Sequence, residues 1–179
     1  MDLKEFEGAW KDFLKKEDLA ESPGAAPDKI KIGRADEIDD LASVDIRGHI
    51  RLGDRLRLAG KVEAGAVQYE KALEKEPSNP VALTKLGRAL NLLGRKEEAR
   101  RKLAQAVKEN PNYAPAFLSY SKLLLENGEL ERAREFYLEG NALNPFDPEI
   151  HEGLAAIYKS LGDLKGVEIE TEALRKLAY

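Results

Sequence analysis

The chain has no cysteine among its 179 residues, so no disulfide can staple it and no thiolate zinc site can form. It has no apolar run near the roughly 18 residues that a membrane-spanning helix needs. Its first residues, MDLKEFEGAWKDF, are acidic where a secretory signal would be basic and then apolar, and a cytoplasmic location is expected. Glycine-rich phosphate loops, Gly-x-Ser-x-Gly elbows and dinucleotide fingerprints are lacking too. Histidine occurs twice, at His49 and His151. HEGLA at His151–Ala155 begins like a zinc-protease helix, but its second histidine would have to stand at Ala155. No catalytic residue, metal ligand or cofactor is expected from these residues.

Charge is plentiful but uneven. Charged residues make up 35% of the chain against 42% apolar ones, a balance that suits a helical protein better than a disordered one. Residues 1–45 hold 13 acids and 7 bases, a net −6, whereas residues 46–179 hold 20 acids and 22 bases, a net +2.

The decisive feature is a rhythm of small residues. In steps of 34 it runs Gly53, Gly87, Ser121, then Gly60, Gly94, Gly128, Gly162, then Gly65, Ala99, Ala133, Val167. Bulky residues follow at Tyr69, Leu103 and Tyr137, with Thr171 in the fourth place, and prolines at Pro77, Pro111 and Pro145. No insertion or deletion interrupts four units, 46–79, 80–113, 114–147 and 148–179. Within a unit, apolar residues recur at helical steps, as in Leu83, Leu86, Leu90 and Leu93. A glycine then permits a tight turn, and a second helix opens with acids in its first turn, where they complement the helix dipole. Glycine or alanine inside the helices is expected where the two backbones cross.

RLGDRL, KLGRAL, YEKALEKEP and FYLEGNALNP make the chain resemble the tetratricopeptide repeat family, over about three quarters of its length. The resemblance implies an all-α fold, a right-handed α-solenoid, here of four helix-turn-helix repeats; an N-terminal helical arm is read separately from the residues that precede them. Val167 and Thr171 depart from the small and bulky pattern, as suits a last helix whose outer face (Glu168, Glu172, Arg175, Lys176) is polar. Gly140 stands where an alanine is usual and is expected to soften the third unit. His49 and His151 occupy equivalent places where the family puts a bulky packing residue, so a packing role is expected for each.

The resemblance also implies a groove lined by first helices that takes a peptide or a partner's helix, and hence a non-catalytic adaptor or scaffold. Its expected residues are Arg47, Arg51, Asp54, Arg57, Lys85, Arg88, Asn91, Leu118, Ser119 and Lys122, a basic floor suited to an acidic, extended or helical segment. Ile50, Val81, Thr84, Pro115, Leu125, Glu149, Glu152, Gly153, Ala156 and Lys159 are expected to face it as well. The family's clamp for a C-terminal carboxylate uses lysine, asparagine and arginine at five places. Here those places hold Ile50, Asp54, Lys85, Pro115 and Ser119, or, one unit along, Thr84, Arg88, Ser119, Glu149 and Gly153. Neither set makes the clamp. No nucleic-acid partner is expected, since the cations are not interleaved with aromatics.

Residues 1–20 read as an amphipathic arm with Leu3, Phe6, Trp10, Phe13 and Leu14 on one stripe. A linker spans 21–45, with ESPGAAPD as its breaker, KIKIG as a short extended piece and ADEIDDLASVD as a brief helix. The arm's polar face is not basic, so no membrane partner is expected. Four expectations remain open for it: capping its own body, homodimer formation by exchange, engaging a different protein through its apolar stripe, or occupying a groove in place of the acidic partner. Another reading also stays open, in which the array is the recognition or regulatory tail of a larger enzyme.

Overall fold

A computed structural model describes residues 41–178; the arm with its stripe, and the linker up to residue 40, lie outside the described residues. Eight helices follow one another without a strand among the described residues, so the fold is all-α. They are α1 (Val44–Leu58), α2 (Val62–Lys75), α3 (Pro80–Leu92), α4 (Lys96–Glu109), α5 (Ala114–Glu126), α6 (Leu130–Leu143), α7 (Pro148–Leu161) and α8 (Leu164–Leu177). The repeat register is kept by the backbone: α3, α5 and α7 start at residues 80, 114 and 148, and the four second helices at 62, 96, 130 and 164.

Each hairpin turns on a glycine in the left-handed region, with φ between 74° and 77° at Gly60, Gly94, Gly128 and Gly162. The residue after each glycine donates its N–H back across the turn. Lys61 reaches the Leu56 carbonyl at 2.8 Å, and Arg95, Glu129 and Asp163 make the equivalent bonds at 2.9, 3.0 and 2.9 Å. This six-residue closure satisfies carbonyls that the helix end would otherwise leave unpaired. Between hairpins, Asn79 caps α3 by accepting from the Ala82 N–H at 3.0 Å, and Asp147 caps α7 by accepting from Glu149 N–H at 3.0 Å. Pro80 and Pro148 stand in the first turn, where no N–H is needed.

The small residues inside the helices create close crossings. The Gly53 carbonyl oxygen would lie 2.9 Å from a methyl placed on Gly65, so α1 and α2 cross backbone against backbone there. A side chain at Gly53 would also run into the Tyr69 ring at 2.5 Å, and one at Gly87 into Leu103 at 2.6 Å. The third unit has Ser121 in that place, and there the Tyr137 ring lies instead over Gly153 of the next hairpin, 2.2 Å from where a methyl would be. In the last hairpin the roles invert, and Tyr158 of α7 covers Gly166 of α8. Gly140 is close-packed: a methyl there would be 3.3 Å from Phe117 Cβ.

Tyr69, Leu103 and Tyr137, each almost wholly buried, join one apolar core that runs from Ala66 to Ile157. A second cluster, from Ala42 through Ile46, Ile50 and Val81 to Ala116, closes the other side. On α8 only Gly166 and Glu170 are buried. Its in-register row, Val167, Thr171 and Leu174, stays at least partly exposed, with no first helix packed over it among the described residues. α3 touches α5 and α5 touches α7, in addition to contacts within and between successive hairpins. From α3 onward, first helices therefore approach their successors, and this is the inner side of the solenoid.

The same substitution should have opposite signs at two glycines. Gly94→Ala meets no neighbour but forces alanine into the left-handed region, and should destabilise by about 1–2 kcal/mol. Gly48→Ala, in open space on helical backbone, should stabilise by about 0.5–1 kcal/mol. Urea midpoints of the two variants check this, and two losses of equal size would contradict it.

Candidate functional site

The inner side holds a cavity of about 250 Å³ to which the first helices of all four hairpins contribute. Arg57 comes from α1, Arg88, Asn91 and Leu92 from α3, Pro115, Leu118, Ser119, Lys122 and Glu126 from α5, and Glu149 from α7. Leu103 of α4 forms its apolar floor. Helical periodicity explains this assembly, since residues three and four apart share a face and repeat after 34 residues on the next first helix.

Of the ten residues expected at a groove, the cavity brings together Arg57, Arg88, Asn91, Leu118, Ser119 and Lys122. Asp54 and Lys85 pair with each other instead, at 2.9 Å, and Asp54 also accepts the Tyr69 hydroxyl at 2.7 Å. Burial and the Asp54 carboxylate push the Tyr69 phenol up, against the opposing pull of Arg57, so it stays a neutral donor. Arg47 sits near the start of α1 and donates to the Ala42 carbonyl at 2.8 Å, and Arg51 lies one turn on; neither lines the cavity. Ile50, Val81, Thr84, Ser119 and Gly153 are buried, Gly153 beneath the Tyr137 ring, although periodicity alone put all five on an open face.

The floor is less basic than the sequence count suggested. Lys122 is held by Glu149, and Asn91 donates to Glu126 at 2.8 Å. The Lys122 ammonium, with Arg88 behind it, holds the Glu149 carboxyl below the usual carboxylate range despite its partial burial. Glu126 was missing from the expected set, and its place four residues after Lys122, on the same helix face, could have signalled it. Arg88 makes no hydrogen bond or ion pair among the described residues, and its guanidinium fork stays available to a carboxylate.

The two histidines stand at equivalent places in the packing. His49 Nδ1 meets Gln68 Oε1 at 3.0 Å, and His151 Nδ1 meets Glu170 Oε2 at 2.7 Å. No group of three or more potential metal ligands occurs among the described residues. No helix among them is long and apolar enough to cross a membrane.

This is a helical-hairpin solenoid with a cavity on its inner side. Two family models, each described as a tetratricopeptide repeat, match residues 50–114 and 97–157 and together span more than half of the sequence. The chain belongs to the tetratricopeptide repeat family. No curated protein matches it significantly. Solved structures with a similar fold include TTC0263, a thermophilic TPR protein of Thermus thermophilus, with 24% identity, 74% of each chain covered and a TM-score of 0.66. MamA is similar at 22% identity over 74% of this chain and 73% of its own, with a TM-score of 0.65. The first TPR of Spaghetti (RPAP3), bound to the HSP90 peptide SRMEEVD, is similar at 24% identity over 65% of this chain and 95% of its own, with a TM-score of 0.63.

The Asp54 cluster gives a test of what holds this floor. Asp54→Ala leaves the Tyr69 hydroxyl without its acceptor and should cost about 1–3 kcal/mol. Lys85→Met removes only a partly exposed ion pair and should cost less than about 1 kcal/mol. Urea denaturation of both variants reads the difference, and a larger loss for Lys85→Met would contradict this ranking.

Proposed function

We propose that this chain is a non-catalytic protein-interaction module whose repeat domain, residues 46–179, takes an acidic, extended or helical peptide segment on its inner side. The observation that carries the reading is the cavity to which all four first helices contribute, with Arg57 and Arg88 beside the apolar Leu92 and Leu118. A peptide laid across it would set a carboxylate on Arg88 and an apolar side chain on Leu118. The peptide complex of the similarly folded Spaghetti domain supports the mode of binding. The chemistry of recognition differs, because the clamp places hold Ile50, Asp54, Lys85, Pro115 and Ser119 here. Side-chain carboxylates, rather than a free C-terminus, are therefore the recognised groups. The partner is a protein, and a cytoplasmic setting belongs to the same proposal.

Fluorescence titration with SRMEEVD, its C-terminal amide and a lysine-substituted version tests this. The acid peptide and its amide should bind alike and lose affinity with added salt, while the lysine version should not bind. Arg57→Glu with Arg88→Glu should weaken binding at least tenfold, about 1.4 kcal/mol. A strong preference for the free C-terminus, or binding indifferent to the double reversal, would contradict the proposal.

A further inference from the structure

α8 is held to the rest of the solenoid unusually thinly. Among the described helices it packs on α7, and only two of its residues, Gly166 and Glu170, are buried. α6, by comparison, buries Ala133, Tyr137 and Gly140. One of the two attachment points of α8 is thus a carboxylate, and it meets a histidine. The side chains of His151 and Glu170 are 9% and 10% exposed. Burying a carboxylate is costly unless a charge or hydrogen bond compensates it.

The imidazole has acceptors on both sides. Nδ1 stands 2.7 Å from Glu170 Oε2 and Nε2 stands 3.0 Å from the Pro145 carbonyl oxygen. Satisfying both contacts takes a proton on Nε2 and a second between Nδ1 and the carboxylate. When the second proton leaves, the Nε2–H bond to Pro145 survives, but the Nδ1 lone pair faces an unpaired buried carboxylate. Unit one offers a comparison inside the same chain: at the equivalent places His49 meets Gln68, whose amide can turn its NH2 toward a neutral ring.

We infer that the His151–Glu170 pair is a proton-dependent latch that fastens the last helix, α8, to the solenoid at mildly acidic pH and releases it as the pH rises. The charged groups acting on His151 are Glu170 from α8 and Asp147 from the loop before α7. α6, which also packs on α7, brings Tyr137 to Gly153, and α5 brings Lys122 to Glu149. Burial disfavours the imidazolium, but Glu170, the Pro145 carbonyl and Asp147 together outweigh it and raise the His151 pKa above 6.5. A raised histidine pKa stabilises the docked state fully below the pKa of the undocked ring. That contribution is lost as pH climbs through the docked value. Release uncovers Tyr158 where Gly166 had lain against it, so the latch controls whether α7 presents an aromatic surface.

Hydrogen exchange of the full chain between pH 5.5 and 9 tests the latch, with amide opening constants corrected for the intrinsic pH dependence of exchange. The α8 opening constant should be flat below about 6.5 and then rise tenfold per pH unit until the docked pair has titrated. That of α2, which carries Gln68, should stay flat. Glu170→Gln installs the pair that unit one already uses and should abolish the step in α8. Proton NMR of the His151 imidazole should show its transition moving to lower pH in that variant. A pH-independent α8 in the wild type, or an unchanged step in Glu170→Gln, would overturn the inference.

Discussion

Everything in this solenoid depends on a large side chain lying over a glycine where two helices cross. The Tyr69 ring on Gly53 and Leu103 on Gly87 bring the two helices of a hairpin to backbone contact while filling the space beside them. Close-packed interiors tolerate neither a void nor an extra methyl at such a point, so the spacing of the hairpins is set there. The cavity inherits that spacing, since Leu103, whose seat is Gly87, is also its floor. A binding surface and a packing contact are thus two sides of one residue.

The repeat bends this rule without breaking it. Ser121 fills the third seat, where it is buried and hydrogen-bonds to the Phe117 carbonyl at 2.7 Å, and Tyr137 takes its glycine from the following unit. That exchange draws α7 against α6 and buries Gly153 at what periodicity presents as an open position. In the last unit the aromatic moves to the first helix and the glycine to the second, and the hairpin closes with little apolar burial on α8. A charged pair then takes a share of the holding that apolar contacts have elsewhere, and with it comes sensitivity to protons.

Hairpins, turns and helix starts were legible in the sequence because each depends on local chemistry repeated at a fixed interval. Gly60, Gly94, Gly128 and Gly162 signal their turns by recurring at one fixed place in each unit, where the other glycines do not. The site was less legible, because periodicity reports a direction and not a distance. It put Thr84, Ser119 and Gly153 on the inner face but could not say how closely neighbours cover them. It counted Lys85 and Lys122 as cations of the floor without revealing that Asp54 and Glu149 of adjacent helices neutralise them. It assigned packing roles to both histidines, yet the partner of His151 lies 19 residues away on a helix whose buried row differs from that of the other units.

The claim that a knob over a glycine sets the hairpin spacing is tested most directly by a double-mutant cycle between Gly87 and Leu103. Gly87→Ala places a methyl 2.6 Å from the Leu103 side chain and should be strongly destabilising alone. Leu103→Ala alone should cost about 2–5 kcal/mol through the cavity it leaves. Combined, the new methyl occupies part of that cavity, so the double variant should be more stable than the sum of the two losses by about 0.5–3 kcal/mol. Losses that simply add would show that the two residues do not share one packing constraint, and would contradict the account.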